Sequence, residues 1–120
     1  MTAEIAMADI REWRGQPVVD EKDHRIGTLE SVYVETASDR PFFATVTVGT
    51  LRPRLVFVPL DGAVVGPGYL RVAFPKALVK QAPSIGVDDV LPAEEEPAVF
   101  AHYELAYATG AGGERRLARR

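Results

Sequence analysis

His24, His102 and the run Glu94, Glu95, Glu96 are the residues of this 120-residue chain whose types could bind a metal or move protons. A shared metal or acid–base centre requires both histidines, 78 positions apart, to converge with carboxylates. His24 falls in a charged turn and His102 on the polar side of an expected helix, so both read as surface histidines. Three consecutive carboxylates on a helix point in different directions. Glu94, Glu95 and Glu96 therefore read as complements to the positive end of a helix dipole rather than as a cation site. Gly66, Pro67 and Gly68 lack the lysine and following helix of a phosphate-binding loop and read as a turn. No serine stands in a nucleophile-elbow context. The absence of cysteine excludes disulfides, thiolate zinc sites and thiol nucleophiles together. These residues assign no catalytic, metal or cofactor site, and the chain is expected not to be an enzyme.

Other residues offer contact chemistry. Arg52 and Arg54 flank Pro53 in the loop 50–54 and form the densest basic spot of an acidic body. They read either as a solvated turn or as a carboxylate-recognition point, since planar guanidinium groups suit bidentate pairing with an acidic protein or an acidic patch of a second copy. Phe43, beside Thr45 and Thr47 on one face of a strand, is either an exposed interface aromatic or a cover for the core beneath a helix. Phe43, Arg52 and Arg54 are the candidate interaction residues.

The composition, 47% hydrophobic and 26% charged, is that of an ordinary globular chain, and the length suits one domain. No apolar run approaches the ~18 residues of a membrane helix, and the first eleven residues lack a signal-peptide plan, so a cytoplasmic protein without a membrane span is expected. Residues 114–120 carry four Arg and one Glu; against a total of −3, the other 113 residues hold −6. An acidic body makes nucleic acid an unfavourable partner for the folded part. The segment 109–120, with Gly110, Gly112 and Gly113 ahead of the arginines, reads as a flexible basic tail.

The elements that position these residues follow from periodicity. β-branched runs at 17–20, 26–35, 42–49, 55–60 and 69–74, separated by charged or Gly/Pro turns, predict a small curled antiparallel sheet. Asp20, Glu21, Lys22 and Asp23 are expected to be solvated at a hairpin tip. Leu29 is out of phase with Ile26, Val32 and Val34, which requires either a bulge or a strand covered on both faces. Pro59 has no N–H for a ladder, so pairing should end or bend there. A short helical turn at 9–13 should end at Gly15, with Trp13 as a lid on the sheet. A helix should begin at Pro75, bury Leu78 and Ala82, and stop at Pro83. A second should begin near Ala93 and line up Val99, Phe100, Tyr103 and Tyr107, leaving His102 and Glu104 outside.

The ordered set Asp9-Ile10-Arg11-Glu12-Trp13-Arg14-Gly15, Pro17-Val18-Val19-Asp20, Arg25-Ile26-Gly27 and Phe57-Val58-Pro59-Leu60 resembles the PRC-barrel domains. The run Phe74 to Ile85, with Leu91, Glu94 to Glu96 and His102-Tyr103, is similar to the downstream part of stand-alone bacterial members. Glu104 departs from the glycine that commonly follows His-Tyr, and Pro97 from a usual helix former. The resemblance implies a mainly β fold, a six-stranded barrel-like sheet with a short N-terminal helical turn and one or two short C-terminal helices. It places an extension at 1–8, the domain at 9–108 and the tail at 109–120. Relatives in fold are the cytoplasmic domain of the photosynthetic reaction-centre H subunit and the carboxy-terminal domain of a ribosome-maturation factor. It implies protein contacts and carries no catalytic motif. The leading expectation is a non-enzymatic interaction or scaffold module that forms a homodimer. The alternatives are a ribosome- or RNA-processing-associated factor and a subunit of a membrane complex of the reaction-centre kind.

Overall fold

The computed structural model describes residues 13–107 and 116–119. Its strands are β1 (Pro17–Val19), β2 (Arg25–Glu35), β3 (Pro41–Val48), β4 (Arg54–Pro59), β5 (Val64–Gly66), β6 (Tyr69–Arg71), β7 (Ser84–Ile85) and β8 (Leu117–Arg119). Helix α1 is Lys76–Lys80, and a 3-10 turn at Ala93–Glu95 runs into helix α2, Glu96–His102. All eight strands belong to one sheet, ordered β5-β6-β1-β2-β3-β4-β7, with β8 paired to β2. The ladders are antiparallel except β1 with β6, which is parallel. The fold is mainly β as expected, but the sheet has open ends at β5 and β7 and does not close.

The phase break in β2 is a bulge. Its register with β3 slips between Leu29 and Ser31, and a bulge leaves an N–H without its ladder partner. Thr45 repairs this: its Oγ1 accepts the Ser31 N–H at 3.0 Å and lies 2.6 Å from Ser31 Oγ, with both residues buried. The strand is also covered on both faces beyond the bulge, since Ser31 to Val34 are all buried. Before it, Gly27 lies so close to β3 that an added Cβ would stand 2.1 Å from the Thr47 carbonyl oxygen, so only glycine allows this approach. β4 ends at Pro59 and β3 at Val48, where Gly49 takes φ 89° to turn the chain.

Trp13 is half-buried against the core, and Gly15 has the expected left-handed backbone, with φ 87°. The rest of the helical turn expected at 9–13 lies outside the described residues. Helix α1 starts after Pro75 but buries Val79 most deeply, with Ala82 behind it and Leu78 only partly covered. Pro97 sits in the first turn of α2, where its missing N–H has no consequence. Glu104 has φ 57°, the left-handed conformation that a glycine would adopt without strain.

Helix α2 completes the core. Phe100 is 1% exposed, with its ring 5.3 Å from Phe43 and 4.9 Å from Tyr107. Tyr103 donates its hydroxyl to the Phe57 carbonyl, and burial pushes its pKa up. Phe43 is fully buried among Phe57, Phe100 and Tyr103. It covers core beneath a helix and is no surface aromatic, because α2 lies over its side of the sheet. His102 is less free than the polar face suggested, since its Nε2–H donates to the Leu78 carbonyl at 2.7 Å and ties α2 to α1.

Two further expectations are corrected. Asp20 is 2% exposed instead of solvated. Its Oδ1 accepts the N–H groups of Lys22 and His24, each at 2.9 Å, and its Oδ2 accepts the Lys76 N–H at 3.0 Å. A carboxylate from the β1–β2 turn thus caps α1, which has no side-chain cap of its own. The second correction is at the C-terminus, where the tail expected to be solvated supplies β8, with Leu117 buried beside β2. A buried apolar side chain and backbone pairing outweigh the solvation of its arginines. The intervening residues 108–115 lie outside the described residues.

Phe100→Ala should cost about 3–5 kcal/mol, as for other buried aromatics, and urea unfolding should show the lower midpoint. For Asp20, burial alone would raise the pKa; the N–H donors of Lys76, His24 and Lys22, with the His24 ring, outweigh it and hold the value at about 2, below the ordinary 3.8. Because the folded value is depressed, the stabilisation is present above pH ~4 and is lost as pH falls toward 2. It amounts to roughly 2 kcal/mol. Asp20→Asn should remove that acid-side loss from a pH series of denaturation midpoints and lower stability at neutral pH by a similar amount.

Candidate interaction surface

The β3–β4 hairpin ends in the loop that carries Arg52 and Arg54. Arg52 is exposed, whereas Arg54, at the first position of β4, is half-buried. Arg54 Nη2 donates to the Lys80 carbonyl at 2.7 Å and so closes the last turn of α1. The two arginines are thus separated by role. Arg54 braces a helix end, and Arg52 presents its charge outward.

A third side chain in this loop gave no signal by charge. Leu51 is 96% exposed, held between Gly49 and Pro53. The antiparallel pairing Leu55 to Ile85 and Val56 to Ser84 brings β7 and the turn after it to the same end of β4. Val87 and Val90, 39% and 40% exposed, lie in that turn. Three of the four large hydrophobic side chains exposed among the described residues therefore occupy one end of the sheet, the fourth being Val65 on β5. Scattered single hydrophobics need no explanation, but a cluster does. Among the start of β4, β7 with its turn and the residues leading into α2 lies an open cleft of about 620 Å³ lined by Arg54, Ile85, Asp89, Val90, Pro92 and Glu95, among others. Asp89 Oδ2 accepts the Gly86 N–H at 3.1 Å and fixes the turn. The sequence signal for Leu51 was an apolar residue inside a polar turn; Val87 and Val90 carry no local signal that separates them from core valines.

The groups considered for chemistry do not converge. His24 Nδ1 is 3.2 Å from Asp20 Oδ2 at one turn, whereas His102 bonds to α1. No group of three His, Asp or Glu side chains among the described residues is placed to hold a metal. Glu94 and Glu95 sit at the start of the α2 region as expected for dipole complements, but Glu96 does more. It is fully buried, and its carboxylate accepts the Tyr107 hydroxyl and the Arg116 N–H at 2.8 Å and the Leu117 N–H at 3.0 Å.

Of the segments on which the family resemblance rested, Pro17 to Asp20 forms β1 and the turn after it, Arg25 to Gly27 opens β2, and Phe57 to Leu60 closes β4. A family model described as PRC-barrel domain matches residues 6–79. The chain belongs to the PRC-barrel domain family. The match spans β1 to β6 and most of α1, while β7, α2 and β8 follow it. No curated protein matches the chain. Among the described residues no helix is long and apolar enough to cross a membrane.

Arg52→Glu should change unfolding free energy by no more than about 0.5 kcal/mol, as for a surface charge. Arg54→Ala should cost about 1 kcal/mol through the lost bond to Lys80. Parallel urea titrations would separate the two roles.

Proposed function

We propose that this PRC-barrel protein is a non-enzymatic, self-associating interaction module of the cytoplasm, and that the β3–β4 loop and the turn after β7 form its contact surface. The observation that carries this reading is the gathering of Leu51, Val87 and Val90 at one end of an open sheet. Exposed apolar side chains of this size favour removal from water, at roughly 25 cal/mol per Å². The PRC-barrel family is in general non-catalytic, which agrees with the separation of the two histidines.

A second copy suits this surface by charge. Arg52 projects beside Leu51, and Asp88, Asp89, Glu94 and Glu95 follow on the opposing segment. Two copies related by a twofold axis would set the basic loop of each against the acidic turn of the other, with the apolar residues between them. A polar rim around an apolar centre is the usual anatomy of such contacts.

Light scattering should give about twice the 13.1 kDa chain mass. Leu51→Asp should weaken association at least about tenfold, equivalent to ~1.4 kcal/mol. Arg52→Glu should weaken it mainly at low ionic strength, where exposed charges are least screened. A wild-type chain that stays monomeric at high micromolar concentration would sink the proposal.

A further inference from the structure

β2 and α2 hold a slot between them, and residues 116–119 lie in it. On one side β8 pairs with β2 in the register Tyr33 to Arg119, Val34 to Ala118 and Glu35 to Leu117, and the Thr36 N–H donates to the Arg116 carbonyl at 2.8 Å. On the other side stands the buried Glu96 carboxylate, which takes the successive N–H groups of Arg116 and Leu117. The Arg116 guanidinium meets Glu35 Oε2 at 2.8 Å and lies 5.7 Å from the centre of the Phe100 ring and 6.0 Å from that of Tyr107. That contact, with Ser38, holds Glu35 below its ordinary carboxylate range. Leu117 is 1% exposed.

The slot therefore reads four features of its occupant: an extended backbone, two consecutive N–H groups, an arginine, and an apolar side chain after it. This is the chemistry of strand addition, in which main-chain bonds give affinity and pockets give selectivity. The occupant is short, three residues of strand, and it follows a sequence stretch containing Gly110, Gly112 and Gly113. Its charge is complementary, since residues 114–120 carry +3 against −6 for the rest. If the segment left, the buried Glu96 would lose two backbone donors. Any replacement must bring the same donors.

We propose that this slot is a recognition site for an extended segment of a partner protein in which an arginine is followed by an apolar residue, and that the chain's own residues 116–119 are its resident occupant, displaced when the partner binds. The site is separate from the self-association surface and does not depend on it. A tethered occupant competes at an effective concentration of order millimolar, so capture in trans is weak until the resident segment is weakened.

The test uses the full chain and a fluorescein-labelled synthetic peptide with the sequence of residues 114–120, followed by anisotropy at low salt. Leu117→Asp in the full chain should open the slot and bind the peptide at least tenfold more tightly than wild type. Adding Glu96→Gln should reverse that gain by tenfold or more, and a scrambled peptide of the same charge should bind at least tenfold more weakly. In the wild-type chain, the Leu117 and Arg119 amides should exchange hydrogen at least tenfold faster than those of Val56 and Val58. Four results would each overturn the proposal: a Leu117→Asp chain that fails to fold by circular dichroism, a folded one that binds no better than wild type, equal affinity for the scrambled peptide, or equal amide protection in β8 and β4. The first and last would make β8 an integral strand, and the third would leave only charge attraction.

Discussion

An eleven-residue strand that pairs with β1, β3 and β8 cannot stay straight, and the bend in β2 is the constraint from which the architecture follows. Its first part carries β1 and its last part β8, both on the edge opposite β3. The bulge between Leu29 and Ser31 makes the change of direction, and the Ser31–Thr45 contact supplies the hydrogen bond that the ladder loses there. An unsatisfied buried N–H costs about 1–3 kcal/mol, so Thr45 makes the bend tolerable inside a dry core. Gly27 serves the same strand, since its missing side chain lets β3 approach at the start of the bend.

Two buried carboxylates then fasten the helices to distant segments of the chain. Asp20 joins the β1–β2 turn to the start of α1. Glu96 joins the start of α2 to β8 and to Tyr107. A buried charge is costly unless hydrogen bonds replace the lost water, and each carboxylate meets that requirement with backbone N–H donors from a distant segment. Only the correct arrangement of segments satisfies them, so each acts as a positional lock as well as a source of stability. Asp20 lies within the part of the chain matched by the family model, whereas Glu96 and its partners follow it. The C-terminal clasp is built onto the common frame.

The same construction fixes which charged groups are engaged inside the fold and which apolar groups are left at its surface. Several ionisable groups are committed within the fold: Asp20 and Glu96 to backbone, His102 to a helix end, Arg54 to the Lys80 carbonyl, and Glu35 to Arg116. The fold also leaves Leu51, Val87 and Val90 outward and an open sheet end at β7. Those are the materials of association.

The sequence by itself determined the strands at β1 to β4 and β6, the two helix starts after Pro75 and near Ala93, the end of pairing at Pro59, and a disturbance at Leu29. Each rests on local periodicity, or on a proline or glycine whose backbone limits act without reference to the rest of the chain. Arg52 and Arg54 were visible as a basic spot, but their different fates were not, because the Lys80 carbonyl that engages Arg54 is 26 residues away. Phe43 could be read in two ways, and the arrival of Phe100 from α2 decided for the core. Strands β5, β7 and β8 are three residues or fewer and were not read from the sequence, whereas the equally short β1 and β6 fall inside the β-branched runs 17–20 and 69–74. Asp20 and Glu96 stood among charged neighbours, and the one read as solvated and the other as a complement to a helix dipole. Tertiary structure alone buried them, because a carboxylate leaves water only where distant backbone donors converge on it, and no local pattern of residues records that convergence.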